Sequence, residues 1–324
     1  MEYRAFGRTG LRLSALSFGA SSLGGVFREV GEAEAIRTLH LAFELGMNYV
    51  DVSPYYGMTK AETVLGKALR GIRREDYILS TKVGRYGAEI KDFDFSPARI
   101  YKSIDESLAR LGVDHVDILF AHDIEFGDMD QIICETIPAL EKIRRLGKCR
   151  FIGVTGLPLG VLENVMEAAP IDAILSYCRY ALNDTSLENV FPLIDEKKVG
   201  LVNASPYSMG LLTSRGAPDW HPAPELVRRK CAEATAFCAE KGTDLSKLAL
   251  QFCLAEKNIP TTLVGSANPA NIEKNIRWMN ESLDEELLAE VQAILAPIKN
   301  ITWPSGRPEN ADRERSSFVA LGRG

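Results

Sequence analysis

Phe18-Gly19-Ala20-Ser21-Ser22-Leu23-Gly24-Gly25 follows the first buried-strand candidate, residues 15–18, and its reading decides the fold. A doubly wound dinucleotide-binding sheet would place G-x-G-x-x-G there, because the tight turn and the close approach of a pyrophosphate both require glycines. The stretch does not match that spacing, and no Walker loop occurs elsewhere in the 324 residues. Outward from this point, short apolar, β-branched-rich runs recur at 48–51, 77–81, 116–121, 150–154, 173–177, 200–203 and 262–264. Such runs suit strands buried on both faces of a parallel sheet.

Amphipathic stretches lie between them, clearest at 32–45, 97–111, 187–196 and 223–239. In the second, Ile100, Ile104, Leu108 and Leu111 form one apolar stripe opposite a charged face. Ser96 before Pro97 predicts an N-cap followed by proline at the first helical position. At the amino end, residues 3–6 and 11–13 flank Gly7-Arg8-Thr9-Gly10 and read as a hairpin. Eight strand–helix units with no linker or composition break predict one α/β domain over 1–310, a (β/α)8 TIM barrel. Residues 311–324 read as a charged tail with the composition of a flexible segment, ending in a short apolar run.

Composition narrows the function classes. Apolar residues make up 46% and charged residues 25%, as in ordinary soluble proteins. A net charge of −6 argues against nucleic acid and against an anionic membrane surface. MEYRAFGRTG has no apolar core of a signal peptide, and no run approaches the roughly 20 apolar residues of a membrane span. A cytoplasmic location is therefore expected. The six cysteines show no metal-ligand spacing and read as small buried residues, so no metal is expected.

In a barrel, chemistry sits at the carboxyl ends of the strands. Asp51 closes the second strand in Asn48-Tyr49-Val50-Asp51, Lys82 the third in Ile78-Leu79-Ser80-Thr81-Lys82, and His122 the fourth in Ile118-Leu119-Phe120-Ala121-His122. Tyr56 lies on the loop after Asp51, just before Gly57. Taken singly, an Asp at a strand end is often a cap, a Lys a solvated charge and a His a structural side chain. Together these four suit hydride transfer between a nicotinamide and a carbonyl or alcohol carbon. A tyrosine is too weakly acidic to work as a base near neutrality unless a close ammonium stabilises its phenolate and a carboxylate orients that ammonium. Tyr56, Lys82 and Asp51 supply those roles, and His122 can hold the substrate oxygen.

Asp51-x-x-x-x-Tyr56-Gly57, with Lys82 and His122 after the next two strands, resembles the catalytic tetrad of the aldo-keto reductase family over about residues 1–310. Within that family the likeness leans to the plant-type L-galactose dehydrogenase branch. The shared strings are Ser53-Pro54-Tyr55-Tyr56-Gly57, Lys102-Ser103-Ile104-Asp105-Glu106-Ser107-Leu108, His122-Asp123-Ile124-Glu125-Phe126-Gly127, Ile174-Leu175-Ser176-Tyr177-Cys178 and Thr302-Trp303-Pro304-Ser305-Gly306. The resemblance implies that the hairpin closes the barrel bottom and that an extended cofactor lies across the mouth. It implies cofactor contacts at Gly19, Ala20, Asp51, Thr155, Ser176, Ser205, Ser208, Gly210, Gly265, Ser266, Asn271 and Asn275.

The family's Ser-Asn pair after the fifth strand reads Thr155-Gly156 here, and its Gln after the sixth reads Ser176-Tyr177. The ring-stacking aromatic after the seventh strand is replaced by Ala204, which leaves Tyr177 or Tyr207 to face the nicotinamide. Relatives that use NADP carry a Lys and an Arg near the eighth strand. Gly265 and Asn271 stand in those places, so NAD is the implied cofactor, with Lys274 one helical turn on as the remaining cation. Each missing charge-assisted hydrogen bond would cost NADP about 1.5–3 kcal/mol.

The implied reaction is NAD-dependent oxidation of an aldose at C1 to its lactone, L-galactose to L-galactono-1,4-lactone, as in ascorbate formation, with Tyr56 as base. Substrate contacts are assigned to Tyr56, His122, Asp123 and Trp303, with the loops 21–27, 83–88 and 123–126 around them. Glu125 is a second carboxylate able to grip a hydroxyl, although capping its loop explains it equally well. L-Fucose and D-arabinose differ from L-galactose only around C6 and compete with it as substrates. Beyond sugar oxidation, the same residues are compatible with an NADPH-dependent carbonyl reductase and, outside enzymes, with a nicotinamide-binding partner subunit. The expected state is a monomer or weak homo-oligomer.

Overall fold

The computed structural model describes residues 1–26 and 30–312. Two antiparallel strands, β1 (Tyr3–Ala5) and β2 (Arg12–Ser14), pair with Tyr3 opposite Ser14. Eight parallel strands then close into a barrel: β3 (Leu16–Gly19), β4 (Tyr49–Asp51), β5 (Ile78–Val83), β6 (Val116–Ala121), β7 (Cys149–Gly156), β8 (Ala173–Tyr177), β9 (Gly200–Ala204) and β10 (Thr261–Val264). Each strand pairs with its sequence neighbours, and β10 returns to β3. Helices lie between the strands, as the alternation in the sequence predicts.

Because side chains alternate along a strand, one set of each strand points into the barrel. Tyr49, Ile118, Phe120, Leu175, Val202 and Leu263 belong to an interior cluster that also takes in Phe6, Leu11 and Leu13 of the hairpin. The hairpin thus plugs the amino-terminal end of the barrel, as expected. Glycine is required at this plug. A Cβ on Gly200 would lie 2.5 Å from the Phe6 ring, and one on Gly7 would lie 2.4 Å from the Gly200 nitrogen.

The helix Pro97–Leu111 has the predicted bounds, with the Ser96 hydroxyl accepting from the Arg99 N–H and with Gly112 (φ 70°) closing it. The stretch predicted as one helix over 187–196 is instead a 3-10 segment, Ser186–Val190, followed by an α-helix, Phe191–Lys197. Pro192 has no N–H and its ring crowds the carbonyl four residues back, so the α-helix starts at Phe191 with the proline in its first turn. Strands β5 and β7 run further than the sequence indicates because their ends find ladder partners, Val83 with Ala121 and Gly156 with Ser176.

Two helices beyond the simple alternation, Glu225–Glu240 and Glu285–Leu295, share a second core around Val227, Leu288 and Val291. Trp303 belongs to that core. Five cysteines are buried as expected, and Cys134 is exposed. No helix among the described residues is long and apolar enough to cross a membrane. Of the tail, Asp312 pairs with Arg179 and accepts the Gly160 N–H at 3.1 Å, so its first residues are anchored; residues 313–324 lie outside the described part.

Candidate active site

The strand-end residues converge at the carboxyl mouth. Asp51 is the last residue of β4 and Lys82 the penultimate residue of β5, both on the inward set. The Lys82 ammonium donates to Asp51 Oδ2 (2.5 Å), to the Val52 carbonyl (3.0 Å) and to Tyr56 Oη (3.1 Å). Its three N–H bonds are all used. Tyr56 Oη is therefore an acceptor toward Lys82 and keeps its own proton for a partner in the mouth.

The sequence reading missed the layer beneath. Tyr49 lies 2.8 Å from Ser80 Oγ, and Ser80 donates to Asp51 Oδ1 at 2.6 Å. Period-two spacing from Asp51 and Lys82 would have found both residues.

The packing of Gly57 fixes Tyr56. Gly57 has φ 61°, and a Cβ there would lie 2.2 Å from the Gly24 carbonyl oxygen. Two loops thus meet backbone to backbone, and the turn carrying Tyr56 has one position. Burial raises the Tyr56 pKa above its ordinary value despite the pull of Lys82. Burial opposes the Lys82 charge, but Asp51 and Tyr56 outweigh it and raise its pKa. The resting pair is a neutral phenol beside an ammonium.

His122 follows β6 and is buried, its Nδ1 3.0 Å from Ser53 Oγ. Ser53 Oγ also accepts the Tyr55 N–H at 3.1 Å and has one hydrogen to give. The tautomer in which Ser53 donates to Nδ1 carries the ring proton on Nε2. Burial lowers the His122 pKa to about 3 against the opposing effect of Asp123, so the ring is a neutral donor. Its plane stands edge-on to Tyr56, with ring centres 5.7 Å apart.

Asp123 has left-handed backbone (φ 52°), a conformation Asp tolerates better than most side chains. Thr155 Oγ1 accepts its N–H at 2.8 Å and donates to its Oδ1 at 3.0 Å. The Thr155 hydroxyl, expected at the cofactor, is thereby engaged with Asp123. Glu125 is fully buried. Its Oε1 accepts from the Leu157 N–H (3.2 Å), Ser305 Oγ (2.8 Å) and Tyr177 Oη (3.5 Å).

Burial, with Asp123 nearby, pushes the Glu125 carboxyl from 4.5 up to about 8. A raised folded pKa means that the stability it confers is fully present below pH 4.5 and is lost as pH rises through 8. Wild type should therefore lose more of its melting temperature between acidic and alkaline buffer than Glu125→Gln does. The expected difference is on the order of 5 °C by thermal denaturation. Equal losses in the two proteins would overturn the assignment.

Beside the tetrad runs a groove of about 180 Å³. Gly19, Asp51, Tyr56, Ala204, Ser205, Tyr207, Gly210 and Gly265 line it, as does Arg215, which the sequence reading did not single out. Ser205, Ser208, Met209 and Gly210 all have positive φ, a run of strained backbone of the kind found at anion-binding loops. This cradle, with a cation at its edge, fits a pyrophosphate-bearing cofactor.

Of the remaining predicted contacts, Ala20 is buried as the first residue of the 3-10 turn that follows β3. Ser208 Oγ donates to Asn183 (2.7 Å), and Asn275 Oδ1 accepts from Tyr207 Oη (3.1 Å). Ser176 Oγ is buried without a hydrogen-bond partner among the described residues. Asn271 Nδ2 donates to Ser266 Oγ at 3.2 Å. Lys274 turns to Asp244 (3.6 Å) and lies over the Trp278 ring. Trp303 is buried edge-on to His221, with ring centres 4.8 Å apart. Tyr207 lies in the groove, whereas Tyr177 points its hydroxyl at Glu125. Phe27, at the end of one candidate pocket loop, lies outside the described residues.

A closed eight-stranded parallel barrel with Asp, Tyr, Lys and His joined at its carboxyl mouth defines an oxidoreductase class. The Aldo/keto reductase family model matches residues 15–296, and the chain belongs to that family. It is 50% identical to L-galactose dehydrogenase of Arabidopsis thaliana, over 96% of this chain and 99% of that one. It is 30% identical to D-threo-aldose 1-dehydrogenase of a Pseudomonas species, over 89% of this chain and 96% of the relative. Among solved structures, an aldo-keto reductase from Bacillus halodurans in its holo form superposes with a TM-score of 0.78 at 30% identity, covering 95% of this chain and 99% of that one.

Proposed function

We propose that the chain is an NAD-dependent aldose 1-dehydrogenase that oxidises L-galactose to L-galactono-1,4-lactone. The observation that carries the chemistry is the unbroken hydrogen-bonded line from Asp51 through Lys82 to Tyr56, facing a neutral His122. Tyr56 takes the proton of the C1 hydroxyl, and Lys82, held by Asp51, stabilises the phenolate that receives it. The Nε2–H of His122 donates to the C1 oxygen and sets its approach. A bound nicotinamide supplies the hydride acceptor. The sugar choice is supported by the 50% identity to L-galactose dehydrogenase over nearly the whole chain.

Support for NAD comes from the stretch beside β10. Gly265 has no side chain, Asn271 is folded onto Ser266, and Lys274 is paired with Asp244. A 2′-phosphate there would meet amide and hydroxyl groups rather than two cations.

NADH formation should be measured with L-galactose, L-fucose and D-arabinose, each with NAD and NADP. The expected result is turnover of L-galactose with NAD favoured by about 10²-fold, the equivalent of two lost charge-assisted bonds. Faster rates with NADP would overturn the cofactor assignment. Faster turnover of L-fucose or D-arabinose would overturn the sugar assignment and leave the tetrad intact. Failure with every sugar would return weight to a carbonyl reductase or a partner subunit.

A further inference from the structure

We propose that Arg85, clamped by Asp123, reads the substrate hydroxyl on the carbon next to the reacting one. The site would then select a carbonyl or hemiacetal that carries an adjacent hydroxyl. The inference deepens the aldose reading above and rests on it for the identity of the natural substrate.

Arg85 lies three residues past Lys82 on the loop after β5, and only 17% of its side chain is exposed. Its guanidinium lies 3.7 Å from the centre of the Tyr55 ring, with the Phe93 and Phe126 rings at 5.2 and 5.8 Å. Those last two rings stack at 4.3 Å. Nη1 donates to Asp123 Oδ2 at 2.5 Å and Nε to the Gly87 carbonyl at 3.2 Å. Nη2 makes no hydrogen bond among the described residues. A side chain with many rotamers is thus fixed by aromatic packing, a carboxylate and a backbone oxygen, with one donor pair unspent.

The position of the pair gives that donor a purpose. Asp123 Oδ2 is 3.6 Å from His122 Nε2, the atom that holds the reacting oxygen. The charged pair therefore begins where the contact with that oxygen ends, at the place of a substituent one carbon along. A hydroxyl there can donate to the Asp123 carboxylate and accept from Arg85 Nη2, which uses both of its hydrogen-bonding capacities. A hydrogen in its place leaves Arg85 Nη2 desolvated and without an acceptor, and sites built to bond a substrate hydroxyl reject analogues lacking the group. The restraint on Asp123 by Thr155, despite its left-handed backbone, fits a carboxylate that must hold one direction.

The test compares substrates that differ only in that hydroxyl. Wild type, Arg85→Met and Arg85→Lys should be assayed for oxidation of L-galactose and its 2-deoxy analogue, and for NADH-dependent reduction of glycolaldehyde and acetaldehyde. In wild type, kcat/KM should favour the hydroxylated member of each pair. In Arg85→Met that ratio should fall by about 10–100-fold, chiefly through a higher KM, as expected for one lost charged hydrogen bond.

Arg85→Lys retains a cation against Asp123 but lacks the forked donor. It should lower the ratio by a smaller factor, and it covers the case in which methionine unfolds the loop. Equal losses on both members of each pair would assign Arg85 a purely structural role and overturn the proposal. If no aldose is oxidised but the glycolaldehyde preference collapses in the variants, the aldose reading fails and the role of Arg85 stands.

Discussion

Replacing Tyr56 with Phe should lower kcat for sugar oxidation by about 10²–10⁴-fold, the range for loss of a positioned acid–base group. Affinity for NAD should be retained. The ring fills the same space in the variant, so the fold of the turn at Gly57 and the contact of Lys82 with Asp51 persist. What disappears is the hydroxyl that both accepts from Lys82 and opens on the groove.

The pH profile gives a second readout. Because burial raises the Tyr56 pKa, the phenolate is a minor species at neutral pH. Wild-type oxidation should therefore climb by about tenfold per pH unit on the alkaline side, and the Phe variant should lose that climb. His122, with its pKa near 3, adds no acidic limb in the working range. Steady-state rates and a cofactor titration would check both parts. Turnover retained in the Phe variant would remove Tyr56 from the chemistry.

Lys82→Met should damage stability and catalysis together. Asp51 is 3% exposed, and the Lys82 ammonium is its only ionic partner among the described residues. Removing one member of a buried pair leaves an uncompensated charge, at a cost of about 3–5 kcal/mol. In a chain of this size that corresponds to a fall in melting temperature on the order of 10 °C.

Catalysis should fall by at least about 10²-fold, because the phenolate loses the cation that makes it accessible. The double variant Asp51→Asn, Lys82→Met separates the two effects. With the orphaned charge removed it should melt above the single variant while remaining as inactive. A double variant that melts no higher than Lys82→Met would show that the buried charge is not the source of the instability.

Much of this protein was legible before any coordinates. The alternation of short apolar runs with amphipathic stretches marked an α/β chain, since a strand buried on both faces and a one-faced helix leave different local patterns. The missing glycine fingerprint after the first strand chose the barrel over a doubly wound sheet. Local chemistry also set the termini of the helix Pro97–Leu111, through Ser96, Pro97 and Gly112. Asp51, Lys82 and His122 could be found as polar residues where apolar strands stop, and Tyr56 through the glycine that follows it.

The tertiary structure decided what each group is bonded to. Only the closed barrel brings Tyr49 and Ser80 under Asp51, turns Lys274 away to Asp244 and engages Thr155 with Asp123. Glu125 reads in the sequence as a carboxylate that either grips a hydroxyl or caps its loop. The fold buries it and raises its pKa, against the opposing hydrogen bond of Ser305, 180 residues away. Arg85 is not distinguished from the rest of the candidate pocket loop 83–88 until the fold closes three aromatic rings and a carboxylate around it. The physical reason is one of range. Periodicity and capping act over a few residues and are written along the chain, whereas burial, partner and pKa depend on contacts that exist only once the chain has closed.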